Sequence, residues 1–182
     1  MPHSGSDSTC PTVQFSGTTS DTDEVKKFID TFGHVFVERS LGVDDDDDFI
    51  GSDDTDYVLR RIRELYLQDS TVTIVLVGKC TRVRKYIDWE VASSLGDDPV
   101  NKRSGLLAIE LPSIAGSSNK LPERIDDNVK RDSSKNDYGY ARWVAYPARK
   151  STLESYIENA YDLRTSVDPD NTRPRFSNNR PC

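Results

Sequence analysis

Along the chain, apolar residues switch between unbroken runs and helical spacing in a regular order. Val72 to Val77 reads Val-Thr-Ile-Val-Leu-Val. This run is rich in β-branched residues and has no sustained polar alternation, so it predicts a strand covered on both faces, as in a parallel sheet. Ile87, Val91 and Leu95 then recur at i, i+4 and i+8, which predicts a helix with one buried stripe. Upstream, Val25, Phe28, Ile29 and Phe32 mark a first helix that ends at Gly33. Val58, Leu59, Ile62, Leu65 and Tyr66 mark a second, with Thr55 as its capping residue. A last helix is announced by the capping box Ser151-Thr-Leu-Glu154 and carries the apolar set Leu153, Tyr156, Ile157, Ala160, Tyr161 and Leu163. Further strands are expected at Thr12 to Ser16, His34 to Glu38, Leu106 to Leu111 before Pro112, and Ala141 to Tyr146 before Pro147. Strand and helix therefore alternate. That order predicts an α/β domain with a five-stranded, mainly parallel sheet and helices on both faces.

Between these elements the pattern lapses in four places. Residues 1–11 are rich in Ser, Gly and Pro and are expected to be disordered, so the domain is placed at residues 12–164. The acidic stretch Val43 to Asp54 repels itself and predicts an exposed loop. Ser113 to Asp137 is long and polar for a connection, which suggests a lid or an excursion without structure. After Arg164 the helical period is lost, and residues 165–182 read as a C-terminal tail.

Bulk properties narrow the function class. A chain of 182 residues suits one domain with a real core. A net charge of −7, with five consecutive aspartates from Asp44 to Asp48, argues against nucleic-acid binding, which needs Lys and Arg to neutralise phosphates. No apolar run is long enough for a membrane helix, and the first residues lack the basic start and apolar segment of a signal peptide, so a cytoplasmic protein is expected. Cys10, Cys80 and Cys182 are odd in number and widely spread; reduced thiols are the simplest reading, with no zinc site. Gly78-Lys79-Cys80-Thr81 is not a P-loop, because Thr73 stands where its first glycine belongs and Cys80 replaces the magnesium-binding hydroxyl. A Rossmann glycine fingerprint is absent too. The only histidines, His3 and His34, offer neither a triad nor a metal site.

What remains is Arg84-Lys85-Tyr86-Ile87-Asp88-Trp89-Glu90. Helical spacing sets Glu90 about 60° to one side of the buried stripe, with Tyr86 one turn before it on the same face. Ligands of open α/β sheets bind beyond the carboxyl ends of the strands, where this helix starts. By residue type alone, Glu90 reads as an ordinary surface acid. Its neighbours alter that: Tyr86 and Trp89 offer stacking surfaces, and Lys79, Arg82, Arg84 and Lys85 form a basic rim in an acidic protein. A carboxylate so placed can stabilise positive charge on a ribose as a glycosidic bond breaks.

The segment Ser70 to Leu95 resembles the third strand and following helix of TIR-like domains, and is most similar to the ThsB branch of Thoeris anti-phage defence. The likeness extends to Asp56 to Gln68, Gly105 to Pro112, Leu121 to Lys130, Tyr140-Ala-Arg-Trp143 and the closing helix. It implies a flavodoxin-like, three-layer TIR fold and cleavage of the nicotinamide–ribose bond of NAD+, used as substrate and not as cofactor. The family's essential glutamate maps onto Glu90. Tyr86 takes the place of its usual Trp. Phe15 and Ser16 match the end of its first strand beside the nucleotide, and Gly17 stands where an aromatic residue is common. Phe15, Ser16, Gly17, Arg84 and Tyr86 are thus the expected substrate contacts, with no metal. The resemblance further implies self-assembly, a role for the Val43 to Asp54 loop in it, and a nucleotide product, linear or cyclic, that activates a separate effector. The alternative is a non-catalytic TIR-like interaction module, which Gly17 favours. A receiver-like phosphorylation domain fits less well, because the central strand ends in Val77-Gly78 and not in an aspartate.

Overall fold

The unbroken apolar run from Val72 forms β3 (Val72–Val77), and every one of its residues is buried. That is the position of a central strand covered by helices on both faces. The computed structural model describes residues 12–16, 21–40, 52, 54–67, 70–97, 99, 102–117, 121–130 and 138–182. Besides β3, the strands are β1 (Thr12–Ser16), β2 (Val37–Ser40), β4 (Gly105–Glu110) and β5 (Ala141–Val144), in the sheet order β2-β1-β3-β4-β5. All neighbouring pairs are parallel. An α/β domain with a parallel sheet is what the pattern predicts.

Helices α1 (Thr22–Phe32), α2 (Thr55–Ile62), α3 (Lys85–Ser94), α4 (Glu123–Asn128) and α5 (Lys150–Ser166) complete the domain. Alternation along β3 divides the core. Val72, Ile74 and Leu76 face α1 and α5, meeting Phe28, Phe32, Leu153 and Ile157, while Val75 and Val77 face α3 and α4, meeting Ile87, Val91, Leu95 and Ile125. A third cluster joins α2 to α3 through Val58, Leu59, Ile62, Trp89 and Ala92. At Gly105 the strand passes so close to the backbone of Ala160 on α5 that any side chain there would collide with it.

Several local expectations change. Asp54, not Thr55, caps α2, its carboxylate accepting from the amides of Asp56 and Tyr57, because Thr55 is already the first residue of the helix. Leu65 is 46 % exposed, because α2 ends at Ile62 and continues as a π-helical turn, Arg63–Leu67, which rotates the side chain off the buried face. Ser151 lies inside α5, whose N-cap is Arg149, so the expected capping box does not form. The second strand is Val37–Ser40, since Gly33–Val35 is a 3-10 turn.

The polar stretch expected to be a lid or excursion contains α4, packed through Ile125 and two buried polar residues, Arg124 and Asn128. Cys80 and Cys182 are not reduced thiols but a disulfide, their Cα atoms 5.2 Å apart. Residues 167–182 lack helix and strand. They lie across α3 and α4 as a strap, with Phe176 only 5 % exposed.

Candidate functional site

The site begins where β3 ends. The Gly78 amide donates to Thr81 Oγ1 at 2.8 Å, and a side chain at Gly78 would run into the Asp21 carboxylate. A 3-10 turn, Thr81–Val83, then delivers the chain to Arg84, whose extended backbone (φ −88°, ψ 123°) starts α3 without a side-chain cap. The missing cap comes from the strap: Asn179 Oδ1 accepts from the Lys85 amide at 2.8 Å, across 94 residues of sequence. That satisfies one of the donors every helix start leaves open.

From Ile87 to Ser94, every residue of α3 is buried, so the helix has three packed sides. Ile87, Val91 and Leu95 meet the sheet, Trp89 and Ala92 meet α2, and Asp88 meets Arg124 of α4. Asp88 Oδ1 accepts from Arg124 Nε at 2.9 Å, and its Oδ2 from Arg124 Nη2 at 3.3 Å and the Phe176 amide at 2.9 Å. Trp89 Nε1 donates to the Phe176 carbonyl at 2.8 Å. Phe176 therefore spends both backbone groups holding neighbouring residues of α3.

Glu90 is 4 % exposed. Helical geometry sets it between the sheet-facing stripe and the α2-facing residues. Tyr86, a turn earlier and half-buried, stands edge-on to Trp89 with ring centroids 6.1 Å apart. The Lys85 ammonium lies 4.7 Å from the Tyr86 ring and 5.0 Å from that of Trp89, so the aromatic platform already carries a cation. Arg84 is half-buried, and its Nε has no hydrogen-bond partner among the described residues. Ser93, one turn beyond Glu90, is fully buried with its hydroxyl also lacking a partner there, as does the hydroxyl of the buried Thr73 on β3. Thr73 projects to the same sheet face as Val75 and Val77 by strand alternation. Neither hydroxyl carries a sequence signal; each sits at a position that reads as ordinary helix or strand.

Of the expected contacts, Phe15 and Ser16 are the last residues of β1, in register with Ile74 and Val75 of β3. Their backbone thus reaches the sheet end from which α3 departs. Gly17 lies outside the described residues, as does nearly all of Val43 to Asp54. Among the described residues, two open concavities lie on the other side of this end. A cleft of about 630 Å³ is lined by Asp21, Asp23, Glu24, Lys79 and residues after β4, and a smaller one of about 200 Å³ adjoins it beside Tyr146. Neither includes Glu90, Tyr86 or Arg84. Burial, with help from Glu24, pushes the Tyr146 phenol up from its ordinary value. Among the described residues no cluster of three or more His, Cys, Asp or Glu is placed to hold a metal ion, and no helix is long and apolar enough to cross a membrane.

Similarity to known proteins follows the same stretch. The family described as Thoeris protein ThsB, TIR-like domain, matches residues 14–115, from β1 past the end of β4, and so includes Phe15, Ser16, Gly17, Arg84, Tyr86 and Glu90. No curated protein matches the chain. The matched segment holds the core of the parallel sheet, the whole of α3 and more than half of the 182 residues. On that match the chain belongs to the Thoeris ThsB TIR-like family.

Proposed function

We propose that the protein is an NAD+-consuming enzyme of anti-phage defence with a flavodoxin-like TIR fold, acting in the cytoplasm, and that Glu90 is its catalytic residue. The observation that carries this reading is a buried glutamate, 4 % exposed, on the helix that leaves the central strand of a ThsB-type domain. In this mechanism the carboxylate hydrogen-bonds the nicotinamide ribose. It stabilises the oxocarbenium-like charge as the bond from ribose C1′ to nicotinamide breaks and the ring nitrogen takes the electron pair. Phe15, Ser16 and Gly17 would flank the nucleotide, Tyr86 would stack, and Arg84 would balance the pyrophosphate. Water attack gives ADP-ribose and a proton; attack by a group of the same ADP-ribose gives a cyclic isomer. Either product would serve as the signal to a separate effector, and self-assembly would complete the site. NAD+ is a substrate here, and no cofactor or metal is invoked.

The second reading, a non-catalytic interaction module, is favoured by Gly17, which stands where the family commonly has an aromatic residue. The deciding experiment measures nicotinamide release from NAD+ by the protein and by Glu90→Gln, with circular dichroism to verify folding. Nucleotide products are separated by chromatography, and the assay is repeated with lysate from phage-infected cells. Release that depends on Glu90 is the expected result, and the product identifies hydrolase or cyclase. No release from folded protein under either condition would leave the interaction module.

A further inference from the structure

The strap is held in two unlike ways along its length. Residues 168–176 are docked by a dense, part-buried network. Asn128 and the Asp170 backbone exchange hydrogen bonds at 2.7 and 2.8 Å, Arg173 pairs with Asp127 and Glu123 of α4, and Phe176 is buried with both backbone groups engaged. Residues 177–182 are all exposed. Their noncovalent links are few: Asn179 Oδ1 with the Lys85 amide at 2.8 Å, the Arg180 amide with the Val83 carbonyl at 2.9 Å, and the Arg180 guanidinium with the half-exposed Glu123 and the Phe176 ring. Exposed bonds of this kind contribute little each. What fastens the far end is covalent, the bond from Cys182 to Cys80.

We propose that Cys80, Cys182 and residues 177–182 form a redox clasp on the first turn of the Glu90 helix, opened by a protein or small-molecule dithiol. The thiolate of the dithiol attacks the sulfur of Cys182, an exposed residue, and the disulfide breaks with Cys80 leaving as a thiolate that takes a proton. The second thiol of the reductant then displaces Cys182 from the mixed disulfide. Two electrons and two protons pass to the protein, and the dithiol becomes a disulfide. In a reducing compartment a disulfide of this kind is a transient, signalling bond and not a permanent staple. Opening it removes the Asn179 cap from Lys85 and frees the Val83 carbonyl, so the turn bearing Arg84 and Tyr86 loosens. Residues 168–176 stay docked. The clasp rests on this geometry and on reducing surroundings, and holds whether or not the protein cleaves NAD+.

The test uses the full chain, oxidised in air or reduced with dithiothreitol, with thiols counted by alkylation and mass spectrometry and amide hydrogen exchange read by peptide. In the oxidised protein only Cys10 should alkylate, and reduction should expose Cys80 and Cys182. Exchange at Lys85 and Arg180 should then quicken by about tenfold or more, while the Phe176 amide keeps its protection. Cys182→Ser should show the fast exchange without reductant, and Asn179→Ala should quicken Lys85 even in the oxidised protein. Three results would overturn the proposal: Cys80 and Cys182 alkylating in the oxidised protein, unchanged exchange at Lys85 on reduction, or loss of protection at Phe176 together with Lys85, which would mean that the strap leaves as one piece.

Discussion

Asp88 and Glu90 are acids two residues apart on one helix, 5 % and 4 % exposed, and yet they serve opposite sides of it. At about 100° per residue they lie about 160° apart around the axis. Asp88 turns to α4 and the strap, where the guanidinium of Arg124 and the Phe176 amide occupy both of its oxygens. An acid held that way joins parts of the fold and has little left to offer a substrate. Glu90 turns to the region between sheet and α2, the side on which β1 ends. Burial of a carboxylate is therefore no guide to chemistry by itself; the partners on each side decide.

The sharpest way to break this contrast is to neutralise each acid in turn. Glu90→Gln is expected to lower nicotinamide release at least about 100-fold with the thermal midpoint nearly unchanged, as loss of a transition-state electrostatic contact does. Asp88→Ala should do the reverse. It leaves Arg124, 1 % exposed, without its counter-charge, a loss of about 3–5 kcal/mol in urea denaturation. If Glu90→Gln unfolds the protein as Asp88→Ala does, the division of roles fails. A double change, Asp88→Leu with Arg124→Met, removes both buried charges and should recover most of that stability in the same assay. Trp89→Phe deletes the bond to the Phe176 carbonyl and shrinks the ring packed against α2, and should lower stability by about 1–3 kcal/mol.

The smallest effect is one of pH. Hydrogen bonds from the Thr172 hydroxyl and amide hold the Asp170 carboxyl below its ordinary value. A depressed folded value means that the contribution of this turn is complete above about pH 4, the unfolded aspartate range, and is lost as pH falls through the lower folded value. Acid titration of hydrogen exchange at Asp170 and Thr172 should show the near end of the strap loosening there.

Period and burial explain which parts of this architecture were legible in the sequence. The run at Val72 and the stripe Ile87, Val91, Leu95 declared themselves because apolar side chains repeat with the period of the element that buries them. Helix α4 and the strap gave no such signal, since they are fixed by Arg124, Asn128 and Phe176 and by bonds to backbone groups. One clue was available: Arg173 and Arg180 in the strap answer Glu123 and Asp127 on α4. Cys80 and Cys182, separated by 102 positions, carry no spacing that pairs them. Glu90 was singled out by its neighbours in the sequence. The roles of Asp88 and Asn179 were not, because each depends on a partner brought from far along the chain.

The cross-link also closes a covalent ring. Everything from the end of β3 to Cys182, including α3, β4, α4, β5 and α5, lies inside it, while β1, β2, α1 and α2 lie outside. A single protease cut within the ring leaves the oxidised chain in one piece by mass, and the fragments part only when the sulfurs are reduced and the fold is undone. A break on the other side of Cys80 severs the chain at once. The two halves of this domain therefore differ in how damage reveals itself.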